Sequence, residues 1–390
     1  MNKLLLSAVS AAISINCGVA NADWSIAALG TFGADISAAT SINDHGQIVG
    51  YVSYQHGASG AAFITDKNGN NQRFIDSQDQ QYNYILPQSI NNSGQVAGYY
   101  RDQDQSQGIL GFYTGKNGEG FKSIDMPSLS YANEINDRGE VAVFSSWQAF
   151  VLDSSDGTKT NLGSLKGFTT SAQSINNSGQ VTGTSEVKSY NPFTLDRAET
   201  HAFITDKDGE GMRDIGTLGG ENSYGMDINN KGQVVGSSNA KGWVSYNAFV
   251  TDENGENMIN LGTLGGHTSV ARSINDNGEV IGWSFMGDGS LQGAHSFLYS
   301  HGGITDLSAL DVVINSGWTD IDAMDINNHG QIVGSGTLNG VHRGFLLSYT
   351  SDTKFDPKPI FIPSPVPEPS TYAMLLAGLG IIGFMRSKRK

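Results

Sequence analysis

Ser41-Ile-Asn-Asp-His-Gly-Gln-Ile-Val-Gly50 is written seven times in this chain of 390 residues. The later copies begin at Ser89, Glu134, Ser174, Asp227, Ser273 and Asp325, with starts 40 to 53 residues apart. A period of that size belongs to propellers and arrays. Each copy reads as a hairpin. In the fifth, Tyr224–Ile228 is a strand, Asn229–Gly232 a turn and Gln233–Gly236 the returning strand. The glycine (Gly46, Gly94, Gly139, Gly179, Gly232, Gly278, Gly330) closes a short loop in the left-handed conformation that other residues enter at a cost. The asparagine after each Ile (Asn43, Asn91, Asn136, Asn176, Asn229, Asn275, Asn327) suits an Asx-turn, its side chain bonding the backbone two residues on.

A second hairpin follows each first one. His201–Thr205 is a strand, Asp206–Gly209 a turn and Met212–Ile215 a strand, and its Phe recurs as Phe63, Phe112, Phe150, Phe203, Phe249, Phe297 and Phe345. Two hairpins make four strands per period, as in a propeller blade. The last Phe strand, Gly344–Tyr349, has no fourth strand after it, whereas Trp24–Gly30 precedes the first hairpin and matches the fourth-strand pattern Asp214–Gly219. Closing the circle with that orphan removes the sheet edges an open array must protect. The expected body, residues 23–349, is therefore all-β: a seven-bladed β-propeller of four-stranded blades, closed by an N-terminal strand completing the last blade. A solenoid of stacked hairpins is the alternative. Small residues three before each Ile (Ala39, Pro87, Ala132, Ala172, Gly225, Ala271, Ala323) suit first strands crowded around a central channel.

Both ends carry addresses. Lys3, the apolar run Leu4 to Ile15 and Ala20-Asn-Ala22 form a signal peptide over residues 1–22, a helix expected to be cut after Ala22 following transfer by the Sec machinery. Cys17, the single cysteine, lies inside it, so the mature chain from Asp23 has no thiol. At the other end a Pro-rich linker (350–366) leads to Val366-Pro367-Glu368-Pro369. An apolar segment 371–385 and the basic end Arg386–Lys390 follow. Fifteen residues fall short of the roughly 20 that cross a bilayer unaided, and the terminal charges hold that end of a short transmembrane helix in the cytoplasm.

The tail from Pro367 to Lys390 resembles the PEP-CTERM sorting signal of Gram-negative bacteria. That resemblance implies recognition by an exosortase, a membrane protease that processes such tails. It also implies an anchored transit through the membrane, then a cell-surface or matrix setting rich in exopolysaccharide. The repeats, over about 24 to 349, resemble the HAF family of extracellular repeats, seen as His201-Ala202-Phe203, although Ala61-Ala-Phe63, Asn247-Ala-Phe249 and His295-Ser-Phe297 depart from it. This second resemblance implies organisation and no particular chemistry.

The formal charge is −15, and five positive charges (Lys3, Arg386, Lys388, Arg389, Lys390) sit in the two addresses, leaving −20 over residues 4–385. Nucleic acid, which is bound by neutralising phosphates, is thereby disfavoured as a partner. In a propeller the first-to-second and third-to-fourth strand turns share one face, here called the turn face. The remaining connections share the other, the connection face. On the turn face, Asp206, Asp208, Glu210 and Asp214 are the candidate calcium ligands, since hard cations want several closely spaced oxygens; Asp-Gly and Asn-Gly are equally the residues of plain hairpin turns. No other cofactor is indicated. The connection face collects aromatic residues in variable loops, with Tyr100, Trp147, Tyr190, Trp243, Tyr246 and Trp283 the candidate ligand-binding set. Catalytic signatures are absent: no His pair has metal spacing and no nucleophile elbow, P-loop or dinucleotide fingerprint stands in context. Glu186, Asp196, Glu199 and Asp288 are the only carboxylates with a case for glycosidase or lyase chemistry. The expected function is an exported, surface- or matrix-associated, non-catalytic propeller protein binding extracellular polysaccharide or another surface partner through its variable-loop face. A polysaccharide-active enzyme and a purely structural matrix component are the alternatives.

Overall fold

Each repeated decapeptide forms the hairpin its spacing predicts. In the fifth repeat the strands Gly219–Ile228 and Val234–Ala240 pair antiparallel with Ile228 opposite Val234, and Gly232 between them holds φ at +76°. A Cβ on Gly232 would also stand 3.0 Å from the Asn254 nitrogen of the next hairpin, so conformation and space both require glycine. That second hairpin, Tyr246–Val250 with Ile259–Gly262, turns through Asn254 and Gly255 at φ +59° and +73°. It docks on the first hairpin by donating the Gly255 N–H to the Gly232 carbonyl.

The structure is a computed structural model that describes residues 24–54, 59–75, 82–102, 108–126, 129–189, 198–242, 245–287 and 293–349. The signal peptide with its cleavage residues Ala20 and Ala22, the linker, the sorting residues Pro367, Glu368 and Pro369, and the segment 371–385 lie outside them. So do Tyr190, Trp243, Asp196 and Asp288.

The architecture is an all-β propeller, and the sequence expectation is corrected in its blade count. Five separate four-stranded blades stand in the ring, not seven; the first two repeats are joined in one eight-stranded sheet. The join is a parallel bridge between Gly60, in the third strand of the first repeat, and Tyr84, in the nine-residue opening strand Tyr82–Ile90 of the second. A Cβ on Gly60 would meet the Tyr84 ring at 3.4 Å, and its absence lets the two strands approach. The expected helices, at 1–22 and 371–385, fall outside the described residues. Among the described residues the one α-helix is the five-residue Asp311–Asn315, and no helix is long and apolar enough to cross a membrane.

At the seam, Trp24–Ala28 pairs antiparallel with the strand Val341–Tyr349, setting Trp24 opposite Tyr349 and Ala28 opposite Phe345. It is the outermost strand of the last blade. The apolar core is divided among the boundaries between repeats. One cluster joins Ile204 of the fourth repeat to Ile228, Val234 and Phe249 of the fifth. Another crosses the seam, joining Leu29, Ile48 and Phe63 to Val333 and Leu346. Phe63, Phe112, Phe203, Phe249, Phe297 and Phe345 are wholly buried. Five of these rings stand directly against a glycine of the second strand, which leaves space over the ring: a Cβ on Gly50, Gly98, Gly236, Gly282 or Gly334 would come within 1.8–2.2 Å of the carbonyl on the first strand. The third repeat has Val143 in that place, and its Phe150 is only half-buried. Valine there competes for the volume the ring fills elsewhere.

Candidate functional site

At the turn face the seven motif asparagines form a closed ring. The Asn229 Oδ1 accepts from the backbone N–H groups of Lys231 at 3.1 Å and Gln233 at 3.0 Å, which is the expected Asx-turn. Its Nδ2 does what the local pattern does not reveal. It donates to the Gln233 Oε1 at 2.9 Å and to the carbonyl of Asn275, the equivalent asparagine of the next repeat, at 3.0 Å. The same inter-repeat bond runs from Asn43 to Asn91, then through Asn136, Asn176, Asn229, Asn275 and Asn327, and returns to Asn43. Each of these side chains is buried.

Two further rings lie above and below. The residue before each Ile supplies Ser41, Ser89, Glu134, Ser174, Asp227, Ser273 and Asp325; the residue after each Asn supplies Asp44, Asn92, Asp137, Asn177, Asn230, Asp276 and Asn328. Three carboxylates is the most that seven positions can hold without two becoming neighbours, and both rings hold three with none adjacent. Ser41 and Ser273 donate to Asp325 at 2.7 and 2.9 Å, and Ser174 donates to Asp227 at 2.7 Å. In the second ring Asn92 and Asn177 donate to Asp137, and Asn230 donates to Asp276. The alternation keeps like charges apart and gives each a donor. The six carboxylates and the seven motif asparagines line a cavity of about 150 Å³ with no basic side chain in its wall.

Burial, then repulsion from Asp227 and Asp325, lifts the Glu134 carboxyl well above its ordinary range. Burial also raises Asp227, against hydrogen bonds from Ile274, Ser174 and Ile228. A carboxyl whose pKa is raised by folding favours the folded state fully below its unfolded pKa, and that contribution is lost as pH rises through the folded value. Glu134→Gln should therefore raise the thermal midpoint at pH 8 by about 2–4 °C, roughly the effect of one kcal/mol in a large domain. It should also shrink the difference between pH 5 and pH 8. Parallel melts at the two values check it, and an unchanged pH dependence counts against a strained carboxyl.

The acidic turn predicted as a cation site is dispersed. Asp208 pairs with Arg138 at 3.0 Å, Asp206 with Arg213 at 3.5 Å and Asp214 with His201 at 2.9 Å, while Glu210 follows the turn with its carbonyl accepting from the Asp206 N–H. Among the described residues no group of three or more His, Cys, Asp or Glu side chains is placed to hold a metal ion. Of the carboxylates considered for catalysis, Glu186 accepts from the Phe168 N–H at 2.9 Å and Glu199 pairs with Lys188 at 3.0 Å.

The aromatic candidates separate by burial. Tyr100 is 5% exposed, packed edge-on to Phe121 and donating to Ser123; its neighbour Tyr99 points the other way, as alternation in a strand requires. Tyr246 lies 5.6 Å from Tyr224, and burial with that contact pushes its hydroxyl up to about 12. Trp283 stands edge-on to Phe285, which stacks on His267 at 5.4 Å. Trp147 is different. It is 70% exposed at the tip joining Glu140–Ser145 to Gln148–Asp153, and its carbonyl accepts from the Thr170 N–H of the next repeat. Phe168 (85% exposed) and Leu129 (47%) are close to that tip along the backbone, two residues before Thr170 and one before Ser130, which pairs with Ser145.

Residues 365–390 match the model of the PEP-CTERM protein-sorting motif. The tail is a PEP-CTERM sorting signal. PEP-CTERM tails indicate export and membrane anchoring in Gram-negative bacteria, and imply processing by an exosortase. Among curated proteins none matches the chain. Solved structures match the propeller. The β-propeller domain of the Trilobed protease from Pyrococcus furiosus, which has an open velcro topology, is 11% identical with a TM-score of 0.55, covering 84% of this chain and 99% of its own. YCF48 bound to D1 peptide is 12% identical with a TM-score of 0.50, covering 84% and 97%. Oligogalacturonate lyase in complex with manganese is 10% identical with a TM-score of 0.46, covering 84% and 91%. Such likenesses show the fold alone. A fold by itself carries no catalytic assignment.

Proposed function

We propose that this chain is an exported, surface- or matrix-associated, non-catalytic propeller protein of the HAF-repeat type, and that its connection face binds extracellular polysaccharide at a site centred on Trp147. The observation that carries the reading is the backbone at that tip. Ser146 and Trp147 both lie in the left-handed region, at φ +52° and +65°. A bulky residue there is an outlier, and each such residue costs about 1–2 kcal/mol. The corresponding tip of the last repeat, Asn339-Gly340 at φ +50° and +83°, has the same shape with residues that adopt it readily. Exposing a tryptophan in a strained turn works against stability, and strain of this kind is retained where it serves binding. An exposed indole face suits the apolar face of a sugar ring.

Replacing Ser146-Trp147 with Asn-Gly tests this without risk to folding. The double variant should melt about 2–6 °C higher, from relief of roughly 1–2 kcal/mol, and should no longer be retained on immobilised exopolysaccharide from a producing bacterium. Retention equal to that of the unaltered body removes the proposal. Release of reducing ends or unsaturated products from a bound polymer at low protein concentration removes its non-catalytic part.

A further inference from the structure

Trp147 is the outer end of a row. Its ring lies 6.3 Å from Phe144; Phe144 lies 6.2 Å from Tyr131, its direct partner across the first strand pair of the third repeat; Tyr131 lies 5.1 Å from Tyr99 of the second repeat. The Tyr84 ring reaches Gly60 of the first repeat, across the bridge that joins the two repeats; burial, then Tyr131, Tyr84 and Tyr51, push the Tyr99 hydroxyl above the usual phenol range. All five inner rings are half-buried, each with part of its surface open.

Tyr51, Tyr99 and Phe144 occupy one structural position, the residue after Gly50, Gly98 and Val143, in three successive repeats. The other four repeats place Thr184, Ser237, Trp283 and Ser335 there. Packing between repeats is thus satisfied by small polar residues in three of seven cases, and it does not require the aromatic run. We infer that the first three repeats form one elongated subsite for an extended, uncharged polysaccharide several sugar units long. Trp147 stacks on one unit at the outer end, and the hydroxyls of Tyr131 and Tyr99 exchange hydrogen bonds with sugar hydroxyls further in. This rests on the glycan reading of Trp147 and adds the ligand's length and charge class to it. The steps between rings, 5.1 to 6.3 Å, are comparable with the length of one pyranose unit. Phenols and indole carry no charge at neutral pH, Arg101 stands opposite Tyr84 in register as a further donor, and a chain of charge −20 over residues 4–385 repels polyanions.

The test is calorimetric titration of the mature body with the disaccharide, tetrasaccharide and hexasaccharide of β-1,4-linked glucose and of β-1,4-linked N-acetylglucosamine, with polygalacturonate and alginate as acidic comparators. The association constant should rise by about tenfold or more from disaccharide to hexasaccharide in one neutral series, the size of one added stacking contact. Trp147→Ala should abolish binding at every length. The pair Tyr99→Phe and Tyr131→Phe, which keeps the packing, should lose most of the gain with length and leave disaccharide binding unchanged. Affinity independent of length, yet still lost in Trp147→Ala, overturns the row and leaves the Trp147 site standing. Tighter binding of either acidic polymer overturns the uncharged class. No binding by any probe overturns the row together with the reading beneath it.

Discussion

Asn229→Asp is expected to destabilise the propeller at least as much as Asn229→Ala, by about 3–5 kcal/mol, which lowers the melting midpoint by roughly 10 °C. Aspartate keeps the oxygen that accepts from the backbone of Lys231 and Gln233, so an Asx-turn alone would tolerate it. It loses the amide that donates to the Asn275 carbonyl and the Gln233 Oε1, and sets a carboxylate against both oxygens in a buried place. The two substitutions therefore separate the local role from the ring role. Lowering the pH below the carboxyl's own pKa should restore part of the stability of the aspartate form, because a protonated acid can donate again; alanine has no such recovery. Melts of the three proteins at pH 4 and pH 7 decide it. An aspartate variant as stable as the unaltered protein at pH 7 would show that the inter-repeat bond contributes little.

Removing the seam strand should have a larger effect. A mature chain beginning at Leu29 lacks the five pairs that join Trp24–Ala28 to Phe345–Tyr349. It also lacks the Trp24 ring set 4.9 Å from Tyr349 and the contact of Ile26 with the core of the last blade. What remains is an open circle with an unprotected edge along Val341–Tyr349. The loss should be about 5 kcal/mol or more, comparable with the whole stability of an ordinary domain, and should appear as aggregation or as a midpoint lowered by more than 10 °C. A synthetic peptide covering residues 23–35, added in excess, should raise the midpoint in proportion to the logarithm of its concentration, since it binds only the folded circle. A truncated chain that melts within 2 °C of the full body would place the closure elsewhere.

These two expectations differ in where they come from. The seam was legible in the sequence, because Trp24–Gly30 repeats the fourth-strand pattern and the last repeat lacks one; strand pairing follows local pattern and count. The hairpins and their glycines were legible for the same reason, each being settled within ten residues. The second role of the asparagines was not, since a donor's partner 46 residues away leaves no mark on the residues beside it. The column Ser41, Ser89, Glu134, Ser174, Asp227, Ser273, Asp325 was in plain view as the first letters of the motif, and only closure of an odd ring gives its alternation a meaning. Among binding candidates, Trp147 stood out as an aromatic residue in a variable connection, while Tyr100 and Tyr99 could be told apart only once the strand's inward side was known.

Sequence alone, then, determined the period, the paired hairpins, the strand that closes the circle and the export tail, because each depends on contacts short in sequence or on a motif read whole. Tertiary structure decided that Gly60 lets the first two repeats share a sheet, that six carboxylates meet around one cavity, that the Asp206 turn is divided among three different partners, and that Trp147 stands strained and open beside a row of rings. Those outcomes rest on distances between residues remote in the chain, which packing of the repeats against one another sets and local pattern does not.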